Sequence, residues 1–257
     1  MPFEYVDLET AKQHDGLRMV VVPGVPSPWG EAAKGILHVK RIPWQAVRLD
    51  QGDPAMAEWA GGERSGPVAI YQDEPARKGW AEILLLAERL APEPGLLPAD
   101  AGERALAFGL SHEICGEMGL GWCRRNAGVH AGVSEAGGFP KGVALYLGNK
   151  YGYRAEEAEA YTARSVNILE SLSARLHAQR AAGQRFYLGS TLSAVDVYSA
   201  AFMALFKPLP PEQCPMLDAM RPAFESSDPA TQKALDPILL EHRDFIYEEY
   251  LELPLRL

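Results

Sequence analysis

The first ninety residues alternate between short apolar runs and stripes of helical period. Leu17-Arg18-Met19-Val20-Val21-Val22 is nearly continuous in apolar side chains, as a buried strand requires. Trp29, Ala33, Ile36, Leu37 and Lys40 then recur at helical spacing, which predicts a helix over 29–41 that Pro43 ends. Trp44 to Leu49 reads as strand, with Val47 and Leu49 on one face. Asp53-Pro54 opens a short helical turn through Trp59, and Gly61-Gly62 breaks it. Pro67 to Tyr71 is another short strand, whose opening proline marks an edge or a special turn. Gln72 to Arg77 reads as a further short strand. Trp80, Ile83, Leu84, Ala87 and Leu90 make a strong helical stripe, stopped by Pro92 and Pro94. The order β-α-β-α-β-β-α predicts a small sheet with helices packed on it, preceded by a polar surface arm over 1–16.

The pattern changes after Pro92-Glu93-Pro94-Gly95-Leu96-Leu97-Pro98, the clearest linker in the chain. Beyond it no convincing strand occurs. Asp100 and Glu103 form a capping pair for a long helix running to about Arg124. Asn126 to Gly138 is glycine-rich and reads as irregular, and Lys141 to Leu147 as helix. Tyr161, Ser165, Ile168, Leu169, Leu172 and Leu176 mark another long helix, with Gly183 as its stop. Ser193 and Asp196 read as the cap and third helical position of the next helix. Asp228-Pro229 and Asp236-Pro237 are each a cap followed by a first-position proline.

Charge narrows the partners. The chain has 257 residues, with 34 acids against 25 bases and a formal charge of -9. That balance argues against nucleic acid or an anionic membrane as the main partner. No apolar run approaches the roughly 20 residues of a membrane span, and Met1-Pro2-Phe3-Glu4-Tyr5 lacks the basic start of a secretion signal. Cys115, Cys123 and Cys214 form neither a disulfide framework nor a CxxC pair. They read as core or spectator thiols in a reducing cytoplasm.

The candidate chemistry sits where the first long strand hands over to the first long helix, at Val25-Pro26-Ser27-Pro28-Trp29. Ser27 is placed to cap that helix and Pro28 suits its first position. The positive end of the helix dipole favours an anion beside that hydroxyl. On the fourth helical segment, His112, Glu113, Trp122, Arg124 and Arg125 are further candidates, and an aromatic with two cations suits an anionic aromatic ligand. His112-Glu113 lacks the second histidine of an HExxH motif, so no metal is expected. His130, Tyr146, Tyr151 and Tyr153 are additional polar groups able to reach a pocket.

Taken in order, these features resemble the glutathione transferases across nearly the whole chain. Ser27 with Lys34 is similar to the family's spacing of catalytic and basic residues on the first helix. Gly66-Pro67-Val68-Ala69 falls where the family has its cis-proline turn, 94–98 resembles its interdomain linker, and 193–196 resembles the capping box of its core helix. The resemblance implies a thioredoxin-like domain over 17–92, a linker over 93–98 and an all-helical domain over 99–257 that carries a C-terminal extension. It implies a cytoplasmic homodimer using glutathione as co-substrate. Ser27 would stabilise the thiolate; Trp29, Gly66, Pro67, Val68, Lys78 and Gly79 would hold the tripeptide; and His112, Trp122 and Arg124 would line the pocket of a small electrophile. The sequence departs from the family at Lys78-Gly79, which stands where an acidic residue and a serine are usual. That departure supports a second expectation, a non-catalytic binding or scaffold protein on the same fold. Isomerisation and thiol-dependent reduction would draw on the same thiolate.

Overall fold

Four short strands with strong β-formers at their centres make the one sheet found among the described residues. The computed structural model describes residues 4–225 and 227–257. The strands are β1 (Tyr5–Val6), β2 (Leu17–Val21), β3 (Trp44–Arg48) and β4 (Val68–Tyr71), in spatial order β1-β3-β2-β4. β3 runs parallel to both β1 and β2, whereas β4 is antiparallel to β2, with Val20 opposite Val68. Every residue of β2 is buried. Even Arg18 is covered: its guanidinium donates to the Gly16 and Gln72 carbonyls at 2.7 and 3.1 Å.

Two readings of this half are corrected. The described part of the expected surface arm joins the sheet: β1 pairs with β3, and α1 (Leu8–Lys12), capped by Asp7, follows it. Its polarity is that of a sheet edge. The stretch 72–77 is not a strand. It turns at Gln72, which has a φ of 49°, and returns only far enough for Arg77 to exchange two backbone hydrogen bonds with Ala69.

The helices of this half are α2 (Pro28–Val39), α3 (Pro54–Trp59) and α4 (Trp80–Leu90). Prolines occupy the first turns of α2 and α3, where the missing N–H has no helical partner. The Gly66-Pro67 peptide, at the entrance to β4, is cis.

The remainder is helical. α5 (Ala101–Cys115) is capped by the Asp100 carboxylate, which accepts the Glu103 N–H at 2.9 Å. The helix does not continue to Arg124 as expected. It stops at Gly116, turns through Met118 with a φ of 56°, and a new helix, α6 (Leu120–Val133), begins. Of the stretch 126–138, read as irregular, residues up to Val133 belong to that second helix, and Gly128 and Gly132 are contact points on it. A Cβ at Gly132 would overlap the Phe139 carbonyl, and one at Gly128 would press on the Phe139 ring at 2.9 Å. There follow α7 (Lys141–Tyr151), α8 (Ala158–Ala181), α9 (Ala194–Phe202), α10 (Arg221–Glu225), α11 (Pro229–Ala234) and α12 (Pro237–Tyr250). Asp228 and Asp236 cap α11 and α12 through their side chains, as read.

α9 is buried along its whole length. Its Asp196 accepts the Ser193 N–H and hydroxyl, the Tyr187 N–H and His242 Nε2, all between 2.6 and 3.0 Å. Four donors on one buried carboxylate are what such a group needs in order to be tolerated. One hydrophobic core runs from β2, α2 and α4 through α5, α8 and α9 to α12. Lys40, its ammonium fully buried, ties the end of α2 to α4 and to the linker by reaching Glu88 at 2.6 Å and the carbonyls of Ala91 and Pro94. No helix among the described residues is long and apolar enough to cross a membrane.

Candidate active site

A cleft of about 450 Å³ opens where the sheet half meets the helical half. One wall is α2 (Trp29, Ala33, Ile36), the cis-proline turn (Ser65, Gly66, Pro67) and the start of α4 with Lys78 before it. The other wall comes from His112, Cys115, Gly116 and Glu117 at the α5–α6 break, Trp122 of α6, Lys150 and Tyr151 of α7, and Tyr198 of α9. The volume is in the range of small-molecule sites, roughly 300–1,000 Å³.

The aromatic residues fix one another. The Trp29 indole N–H donates to the Cys115 carbonyl at 2.8 Å, and its ring meets Phe202 edge-on at 4.9 Å and stacks with Tyr151 at 6.2 Å. Trp122 meets Tyr151 edge-on at 5.1 Å, and Trp80 meets Tyr198 at 5.5 Å. The Tyr198 hydroxyl donates to the Trp80 carbonyl. These are favoured geometries for aromatic quadrupoles, so the cleft has a preformed apolar lining.

The sequence-predicted residues divide into three groups. Trp29, Gly66, Pro67, Lys78, His112 and Trp122 meet at the cleft. Ser27 sits at the N-cap position of α2, half-buried, two residues from Trp29 and outside the cleft lining. Its hydroxyl makes no capping hydrogen bond, contrary to expectation; the α2 turn is closed by the Ser27 carbonyl accepting the Glu31 N–H at 2.7 Å. Val68 and Arg124 are elsewhere. Val68 is buried in the sheet against Val20. Arg124 turns into the protein, donating to the Leu205 carbonyl at 3.0 Å with its guanidinium over Phe206, and burial lowers its pKa to about 10. Lys34 faces the opposite side of α2, where it pairs with the buried Glu31 at 2.5 Å and donates to the Arg256 carbonyl. His130 is bonded to the Tyr153 hydroxyl at 2.7 Å, outside the cleft lining.

Gly79 is at the N-cap of α4, but its N–H is already engaged. The Glu82 carboxylate folds back and accepts the Gly79 N–H at 3.0 Å and the Lys78 N–H at 2.8 Å. These bonds hold the Glu82 carboxyl below the usual carboxylate range. The Lys78 ammonium donates to the Gly61 carbonyl at 2.8 Å. The start of α4 therefore carries its own anion at the place where a ligand carboxylate was expected.

Sequence reasoning missed Lys150, Glu63 and Ser65 as cleft residues, and Cys115, read as a core or spectator thiol, is buried and also reaches the cleft lining. Periodicity does not reveal them, because they sit on loops or at helix ends and converge only in three dimensions. Tyr151 had been singled out only as one of three tyrosines.

The class of protein follows from this arrangement: a thioredoxin-like half and an all-helical half with a ligand cleft at their junction. The fold is that of the glutathione transferases. A glutathione transferase from Methylobacterium radiotolerans, in complex with glutathione sulfonate, superposes with a TM-score of 0.61 at 16% identity, covering 91% of each chain. A rice glutathione transferase in complex with glutathione gives 0.60 at 18% identity, covering 94% of each. A family member from Pseudomonas fluorescens with two glutathione molecules bound gives 0.62 at 13% identity, covering 91% of this chain and 89% of that one. No family model matches the sequence, and no curated protein matches it.

Proposed function

We propose that this protein transfers a thiol, glutathione or a close relative, to an electrophilic small molecule in the junction cleft. The observation that carries this reading is the cleft itself, with the Gly66-Pro67 turn on one wall and a ready-made aromatic surface on the other. In the proposed complex the main chain at Gly66 pairs with the cysteinyl backbone, and the Lys78 ammonium meets a ligand carboxylate. The sulfur lies toward the start of α2. There the Ser27 hydroxyl, which caps nothing, donates to it and the helix dipole adds to the stabilisation of the anion. The thiol proton leaves to solvent, the thiolate forms the new carbon–sulfur bond, and the acceptor's leaving group departs with its electron pair. Each unit of thiol pKa lowering corresponds to about 1.4 kcal/mol of anion stabilisation.

The test is turnover of glutathione with 1-chloro-2,4-dinitrobenzene. Ser27→Ala is expected to lower kcat/KM about tenfold to a hundredfold, the effect of losing one hydrogen bond to an anion. Unchanged turnover in that variant would remove Ser27 from the mechanism.

A specific observation favours a second reading. Because Glu82 already occupies the Lys78 and Gly79 N–H groups, the chain has less to offer a γ-glutamyl carboxylate. The same fold would then serve as a non-catalytic ligand carrier. Silence toward a panel of electrophiles, with no thiol binding by calorimetry, would select this alternative.

A further inference from the structure

Among the described residues three hydroxyls line the cleft, those of Ser65, Tyr151 and Tyr198. Two are committed. Ser65 donates to the Glu63 carboxylate at 2.8 Å, and Tyr198 donates to the Trp80 carbonyl at 3.1 Å. The Trp29 indole N–H is likewise spent on the Cys115 carbonyl. Tyr151 differs. Its ring is held in place, stacked with Trp29 at 6.2 Å and met edge-on by Trp122 at 5.1 Å. Its hydroxyl has no hydrogen-bond partner among the described residues and is not sealed from solvent. Burial of the side chain pushes the phenol above its ordinary value, so at neutral pH it keeps its proton and can donate.

The charges of the lining indicate the ligand that would use this donor. Lys78 and Lys150 are offset by Glu63 and Glu117, so a ligand that is neutral before reaction enters at least cost. Lys150 stands beside the phenol, its ammonium 5.4 Å from the centre of the Tyr151 ring, and favours negative charge that develops there during a reaction. A single fixed donor helps most where that charge gathers on one atom. Conjugate addition to an enone gathers it on the carbonyl oxygen. Aromatic substitution spreads it over a ring and its nitro groups.

We propose that Tyr151 is a catalytic hydrogen-bond donor to the acceptor, and that the acceptor is a neutral aromatic enone whose ring lies against Trp29 and Trp122 with its carbonyl oxygen on the Tyr151 hydroxyl. The reaction rests on the thiol-transfer reading; the binding of the ketone does not. The thiolate forms a carbon–sulfur bond at the β-carbon. The carbon–carbon π pair moves onto the carbonyl oxygen, where the Tyr151 O–H holds the resulting enolate. A proton from solvent then adds at the α-carbon. No group leaves, and nothing is oxidised or reduced.

The experiment follows turnover of glutathione with benzylideneacetone and with 1-chloro-2,4-dinitrobenzene, in the full chain and in Tyr151→Phe, which keeps the ring and removes the hydroxyl. The ratio of kcat/KM for the ketone to kcat/KM for the halide is expected to fall about tenfold to a hundredfold in the variant, the effect of losing one hydrogen bond to an anion. An unchanged ratio, equal loss with both substrates included, overturns the assignment. Quenching of tryptophan fluorescence supplies a second arm without thiol. It compares benzylideneacetone with its hydrocarbon counterpart, in which a methylene group replaces the carbonyl oxygen. The wild type is expected to prefer the ketone about twofold to tenfold, as one neutral hydrogen bond implies, and Tyr151→Phe to lose that preference. Equal affinities in the wild type, or a preference that survives in the variant, overturn the ketone site. Absence of turnover with both substrates, with a ketone preference that the variant loses, keeps Tyr151 as the ketone's donor and removes thiol transfer. Turnover of the halide with an unchanged ratio keeps thiol transfer and removes Tyr151.

Discussion

At the scale of single residues, Glu82 decides how well the start of α4 receives a ligand anion. A ligand carboxylate must displace an internal one before it can reach the Lys78 and Gly79 N–H groups. Glu82→Ala frees both donors, and glutathione affinity measured by calorimetry is expected to rise about tenfold. The same variant loses stability, since it removes the hydrogen bonds that close the helix start. The sign of its pH dependence follows from the direction of the shift. The Glu82 carboxyl is held below its ordinary value, so its contribution is present in full above the unfolded carboxylate range, about pH 4.3. It is lost as pH falls through the lowered folded value. The difference in Tm between wild type and Glu82→Ala is therefore expected to be constant from pH 6 to 8 and to shrink below about pH 4.

At the scale of elements, the break between α5 and α6 shapes the cleft. Gly116 and Gly119 bracket it, and Gly121 then lets α6 approach α9 and α2. A Cβ at Gly121 would overlap Phe202 and stand 3.0 Å from Trp29. Gly121→Ala is expected to cost about 1–3 kcal/mol in urea unfolding, the usual range for overpacking. Because Trp29 lines the cleft, it should weaken ligand binding as well. This is also where sequence reading reached its limit. The stripes of α2, α4 and α8 were legible because each buries one face against the core, and the Asp-Pro caps were legible because a single dipeptide carries the instruction. The α5–α6 break was not legible. Its glycines can mark either a loop or a close helix crossing, and only the opposing ring or carbonyl distinguishes them. The site shows the same division. Trp29, Gly66 and Pro67, singled out in the sequence, line the cleft, whereas Ser65 on the same turn and Lys150 at the end of α7 carry no periodic signal, and Arg124, expected in the pocket, turns into the protein. Helical period places neighbours about 100° apart, but it does not say whether an arginine on such a helix faces a cleft or the core.

At the scale of the whole molecule, the two halves share one core. Ile36, Leu37 and Leu84 from the sheet side pack in the same cluster as Ile114, Leu172, Val197 and Leu239 from the helical side. Across the same boundary the Ala194 N–H at the start of α9 donates to the Leu96 carbonyl of the linker, and the Tyr198 hydroxyl donates to the Trp80 carbonyl of α4. Such a shared interior predicts cooperative loss of both halves. Urea unfolding followed by far-ultraviolet circular dichroism and by tryptophan fluorescence is expected to give coincident midpoints. Separated midpoints would show that the halves unfold independently.

The three cysteines have a practical consequence for every assay above. All are buried; burial pushes Cys115 well above the ordinary thiol range and Cys123 and Cys214 up to about 11. At neutral pH the folded protein thus contributes almost no reactive sulfur of its own. A colorimetric thiol reagent added to a reaction mixture will count added tripeptide rather than protein, and the fall in that count beyond a control without the electrophile measures thiol consumed by the acceptor.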